Sequence, residues 1–196
     1  MNQLRDEFDL SDEVKRIIIN GIKLGLSRFY SEKEGKPEIQ TARNFISRKR
    51  ASYVFDSIYH LANQHLEQNI IAEIRSAGLS YEYVLLVIED RNIMITFSQE
   101  KHHDDLPEYS EYRSEYTEGN GRFDPQLTLF EEIETNHKKY KHLIVTYNGS
   151  SGPDPEFVWI GATNKGQTAW IYHQDLMVGI QKNCPATFVS GIKLGN

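Results

Sequence analysis

Hydrophobic residues recur at three- and four-residue steps near the start of the chain: Val14, Ile17, Ile18, Ile22, Leu26 and Phe29. That spacing places them on one face of an α-helix. Ser11 offers an N-cap oxygen, and Asp12 and Glu13 set negative charge at the helix's positive end. Glu34-Gly35-Lys36-Pro37 breaks the pattern. A second helix is predicted from near Thr41 to past Leu66. Ile46, Val54, Ile58, Leu61 and His65 share its apolar face, which Phe45, Tyr53 and Phe55 widen. Ile70 to Ala77 reads as a shorter helical turn that stops at Gly78, because glycine enters the left-handed region without steric penalty.

The pattern then changes period. Tyr83-Val84-Leu85-Leu86-Val87-Ile88 has the composition and length of a strand covered on both faces. Glu89-Asp90-Arg91-Asn92 supplies a turn, and Ile93 to Phe97 returns as the partner of a hairpin. Asp124-Pro125 resembles an N-cap with proline at the first helical position, opening a helix from Gln126 to about Asn136. His142 to Tyr147 is a further strand. Phe157 to Ala162 and Thr168 to Tyr172 form a second hairpin around Thr163-Asn164-Lys165-Gly166. The glycine-bulged turn would set Trp159 opposite Ile171 and Ile160 opposite Trp170. A last helix is predicted over His173 to Lys182.

These elements define an α+β fold: N-terminal helices packed on an antiparallel or mixed sheet of about five strands, built from two hairpins, with an acidic loop inserted between them. Residues 1–196 read as a single domain, with a helical part at about 11–78, a sheet part at about 83–172 and the acidic insertion at about 100–124.

Composition narrows the class. Hydrophobic residues make up 39% and charged residues 26%, as in an ordinary globular protein. No apolar run approaches the roughly 20 residues of a spanning helix, so no membrane partner is expected. The polar N-terminal residues carry no signal core. Cys184 is the single cysteine and forms no internal disulfide. Together these features point to a cytoplasmic setting. No phosphate-binding glycine loop and no nucleophile elbow is present.

Charge is concentrated in one place. Between residues 100 and 135, eleven acids face only Lys101, Arg113 and Arg122, so this segment is more negative than the whole chain, whose net charge is −6. Tyr109, Tyr112 and Tyr116 recur through it at helical spacing and would line one face if the segment became helical on binding. Tyrosine gives broad amphipathic contact at low entropic cost, and acids steer basic partners. Tyr109, Tyr112, Tyr116, Glu111 and Glu115 are therefore the candidate partner-binding residues. The expected partner is a protein with a basic surface.

Two other clusters carry alternative chemistry. Arg43, Arg48, Lys49 and Arg50 form a basic stretch on the second helix, suited to salt-sensitive nucleic-acid contact. His103, Asn120 and His137 follow one another on strand, loop and helix, an order that superficially resembles an HNH-type nuclease. The resemblance implies His103 as general base, with Asn120 and His137 holding the site. His103, Asp105 and His137 would be the ligands of a divalent metal that activates water. Spacings of 17 residues on either side of Asn120 are loose for that family. The leading expectation is a small cytoplasmic binding or regulatory protein without catalysis or cofactor. Its general profile is shared with immunity proteins, antitoxins and phage-borne inhibitors. Oligomeric state is not fixed by the sequence.

Overall fold

The computed structural model of the chain describes residues 6–33, 43–65, 69–78, 81–123 and 140–178. Two long helices come first, α1 (Asp12–Lys33) and α2 (Arg43–Gln64). Six strands follow: β1 (Ile70–Ala77), β2 (Tyr81–Ile88), β3 (Ile93–Gln99), β4 (Lys141–Tyr147), β5 (Val158–Thr163) and β6 (Trp170–Asp175). A short helix α3 (Glu111–Thr117) lies between β3 and β4. The fold is α+β, with a mixed sheet of six strands.

The N-terminus of α1 forms as its sequence dictates. Ser11 Oγ accepts from the Val14 amide at 3.3 Å, and its carbonyl accepts from the Lys15 amide at 3.0 Å. Val14, Ile17, Ile18, Ile22, Leu26 and Phe29 are all buried. Gly21 and Gly25, one turn apart, bring α1 and α2 into close approach. A Cβ on Gly25 would lie 2.7 Å from the Tyr53 carbonyl oxygen, and one on Gly21 would lie 2.6 Å from Ile58 Cγ1. Opposite them Val54, Ile58 and Ala62 of α2 are fully buried, while Phe45 is 63% exposed.

The sheet runs β1-β2-β3-β4-β5-β6, so its spatial order is its chain order. Every neighbouring pair is antiparallel except β3 with β4, which is parallel. Pairing partners share a side. Leu86, Ile95, Phe97, Leu143, Val145, Tyr147, Val158 and Ile160 make up the back face. All are at most 2% exposed, and the Phe55 ring of α2 packs on Phe97. Tyr83, Leu85, Thr96, His142, Ile144, Thr146 and Trp159 lie on the front face. Apart from the half-buried Trp159, that face is buried as well, beneath residues 105–123 and a stack of aromatic side chains. Both faces covered is what the unbroken apolar runs of β2 and β4 require.

Several expectations are corrected. Ile70–Ala77 is a strand and not a helical turn, which raises the strand count from about five to six. Its isoleucines at 70, 71 and 74 fit helical spacing, but they are β-branched, and full antiparallel pairing with β2 decides between the two. Gly78 is left-handed, φ +68°, as a helix-stopping residue would be, yet here it turns a hairpin. The second helix ends at Gln64 instead of running past Leu66, and His65 closes it by donating to the Ala62 carbonyl at 3.0 Å.

The β5–β6 register also differs. Trp159 pairs with Asp175, Ile160 with Gln174 and Thr163 with Trp170, with a bulge at Ala162/Thr163. The loop is longer than the predicted turn because Asn164 organises it. Asn164 Oδ1 accepts from the Thr168 amide at 2.8 Å and the Ala169 amide at 3.2 Å. His173 to Asp175 belong to β6, so the predicted final helix does not start at His173, and its remainder from 179 to 182 lies outside the described residues. The predicted helix from Gln126 to Asn136 also lies outside them.

Residues 100–140 connect the parallel strands β3 and β4. A parallel pair cannot be joined by a tight turn; the chain must travel back along the sheet. Part of the acidic segment is therefore the crossover itself and covers the front face as it returns.

Candidate functional site

Tyr81 and Tyr83 stand two residues apart on the front of β2. They receive the apolar side of α3. Tyr112 stacks on Tyr83 with ring centroids 4.2 Å apart and planes at 25°, and Tyr116 meets Tyr112 edge-on at 6.4 Å. The Tyr83 and Tyr116 hydroxyls share a hydrogen bond of 3.0 Å. Helical spacing thus aligns Tyr112 and Tyr116 as the sequence predicts, but against the protein's own sheet. Tyr109 is 61% exposed. Burial, followed by the neighbouring Tyr112, pushes the Tyr81 phenol up to about 12.

Arg113 runs beneath this layer, only 6% exposed. Its guanidinium donates to the Glu108 carbonyl and, at 3.2 Å, to the Tyr112 hydroxyl. The side chain fastens the loop before α3 to the helix. With the arginine turned inward, the carboxylates of the segment are left outward. Glu108, Glu111 and Glu115 are exposed. Glu100 is half-buried and accepts from Ser98 Oγ at 2.6 Å. Desolvation holds its carboxyl above the ordinary range, against the opposing pull of Ser98 and Arg113.

These residues line an open cleft of about 860 Å³ between α3 and the β1–β2 end of the sheet. Tyr81, Tyr83, Tyr109, Tyr112 and Tyr116 form its aromatic wall, and Glu100, Glu108, Glu111 and Glu115 give it negative charge. The cations on the lining are Arg75, tied to Glu73 on the same strand, and the inward Arg113. The cleft is therefore acidic and aromatic, a combination that attracts ammonium and guanidinium groups through charge and ring faces together.

The basic stretch of α2 is divided among different tasks. Lys49 pairs with Glu32 of α1 at 2.7 Å. Arg50 donates twice to Gln99 Oε1, at 3.1 and 3.0 Å, binding α2 to the end of β3. Arg48 is exposed and borders a smaller cleft of about 270 Å³ with Ser52, Ser76 and Tyr81. The side chain of Arg43 lies outside the described residues.

Of the residues His103, Asp105, Asn120 and His137, the structure describes the first three. His103 pairs with Asp104 at 2.8 Å and stacks on Trp159, centroids 4.7 Å apart. Asp105 accepts from the His102 amide at 3.0 Å. Asn120, expected on a loop, is fully buried and stitches two strands together. It accepts from the His142 amide at 2.9 Å and donates to the His142 and Thr163 carbonyls at 2.9 and 3.1 Å. His137 lies outside the described residues. Among the described residues no group of three or more His, Cys, Asp or Glu is placed to hold a metal ion.

Two histidines passed over in the sequence occupy the most defined environments. His142 is buried on β4, 2.9 Å from Thr96 Oγ1, and burial, then the Arg113 charge, lowers its imidazole to about 3. His173 lies between both tryptophans, 4.5 Å from Trp159 and stacked at 4.5 Å on Trp170. Burial lowers its pKa too. Recognising His173 required the strand to be continued past Tyr172, since in the predicted helix it would point elsewhere.

Compared with known proteins, the chain matches no protein-family model, no curated protein and no solved structure. Among the described residues no helix is long and apolar enough to cross a membrane.

Proposed function

We propose that the protein is a small cytoplasmic binding or regulatory protein that captures a basic segment of a partner protein in the tyrosine-lined cleft, acting in the manner of an immunity protein, antitoxin or phage-borne inhibitor. The observation that carries this reading is the sorting of charge around α3: Arg113 is drawn inward while Glu108, Glu111 and Glu115 face outward beside the tyrosine wall. Such an arrangement speeds encounter with a cationic partner and gives its alkyl and guanidinium groups aromatic surface to rest on. Tyr109 is the free aromatic contact; Tyr112 and Tyr116 brace the wall and present their edges.

The test is titration of a labelled lysine- and arginine-rich peptide, followed by fluorescence anisotropy at low and high salt. Binding is expected to weaken as ionic strength rises. The Glu111→Gln/Glu115→Gln double variant is expected to weaken it by about fivefold to thirtyfold, since two exposed pairs at about 0.5–1 kcal/mol each amount to about 1–2 kcal/mol. Absence of binding, or binding indifferent to salt and to both substitutions, would overturn the reading.

A further inference from the structure

We infer that the basic segment docks as a seventh strand on the outer edge of β1. The inference rests on the cleft reading above and names the backbone geometry by which the partner is held. β1 ends the sheet, and among the described residues β2 alone pairs with it. Its eight residues pair with β2 in unbroken register, without a bulge or a proline. The opposite edge, β6, carries a bulge against its neighbour. Edge strands are ordinarily blunted by bulges, prolines or unpaired charge. Here the two charges of β1, Glu73 and Arg75, neutralise each other on one face.

Both faces of β1 suit an added strand of one particular chemistry. Glu73, Arg75 and Ala77 point to the front, because Arg75 pairs with Tyr83. Arg75 and Ala77 form the wall of the acidic cleft opposite Glu111 and Glu115. Side chains of one parity on an added strand, about 6.5–7 Å apart, would enter that cleft. The other parity would fall beside Ile74, which points to the back and is 56% exposed. The fitting segment therefore alternates basic with aliphatic residues. Main-chain hydrogen bonds would supply affinity and the two faces would supply selectivity.

A peptide alternating lysine with valine is the probe, compared with the same peptide N-methylated at every second residue so that one edge loses its donors. Amide hydrogen exchange across residues 70–77 accompanies the affinity measurement. The expected result is added protection on β1 with the plain peptide, and at least a tenfold loss of affinity on methylation in one of the two alternating registers. If plain and methylated peptides bind alike in both registers, edge pairing is overturned while cation capture by the cleft stands. If neither binds, both readings fall. If β1 gains protection with rising protein concentration and no peptide, a second copy of the chain occupies the edge and the proposal is wrong.

Discussion

His142 shows how far a side chain's meaning depends on what lies across from it. In the sequence it is one more histidine at the start of a strand; in the fold it is fully buried between Thr96 and α3. Its imidazole titrates near 3 in the folded state against 6.5 when unperturbed. Below 6.5 the unfolded chain holds the extra proton, so stability is complete above that pH and is lost as pH falls toward the folded value. His173 acts in the same direction. Glu100, whose carboxyl is held above its ordinary value, acts in the opposite one, at lower pH. Between pH 6.5 and about 5, urea unfolding of the protein should lose stability faster than that of His142→Gln, with a difference in slope that rises from about 0.7 toward about 1.4 kcal/mol per pH unit. Parallel pH profiles for the two proteins would show that His142 is not kept neutral. His103 and His137 stand out in the sequence for their order with Asn120. Cross-strand neighbours decide the environment, and no local pattern reveals them.

The two long helices were legible because their information is local. The apolar stripe of α1 and the Ser11 cap reappear as expected, and the β2–β3 hairpin forms around its expected turn. Gly21 and Gly25 gave no such signal, since a helical glycine looks like a flaw until a partner helix is placed against it. Gly25→Ala would force a methyl against the backbone of Tyr53 and Val54, and a thermal melt should register about 1–3 kcal/mol of destabilisation. Gly21→Ala meets chiefly the Ile58 side chain, which can turn aside, and should cost less. Equal losses would mean that the helices separate as rigid bodies. β1 was misread because spacing and a left-handed glycine serve helix and hairpin alike. The β5–β6 register was misread because Asn164, through its side chain, lengthened a loop that looked short.

The acidic stretch, expected as a loop inserted between two hairpins, sits differently in the assembled chain. β3 and β4 are parallel, so the path between them has to recross the sheet, and it leaves Tyr112, Tyr116 and Asn120 against the front face. Removing residues 104–118 should therefore abolish cooperative unfolding, or lower the melting temperature by well over 10 °C, because Tyr83 and His142 would lose their cover. A deletion variant with an unchanged melting curve would show the segment to be dispensable. The candidate cleft was half legible: tyrosine spacing and acidic charge were visible, whereas the inward turn of Arg113 and the wall formed by β1 came only with the fold. The sheet order has a consequence for synthesis. Strands are laid down one beside the next as the ribosome supplies them, until β3 waits for a neighbour that emerges only after the crossover. During that interval the nascent chain would hold two open edges, those of β1 and β3. The surface we assign to partner capture is thus also the one on which a chaperone, or premature pairing with another chain, would first act.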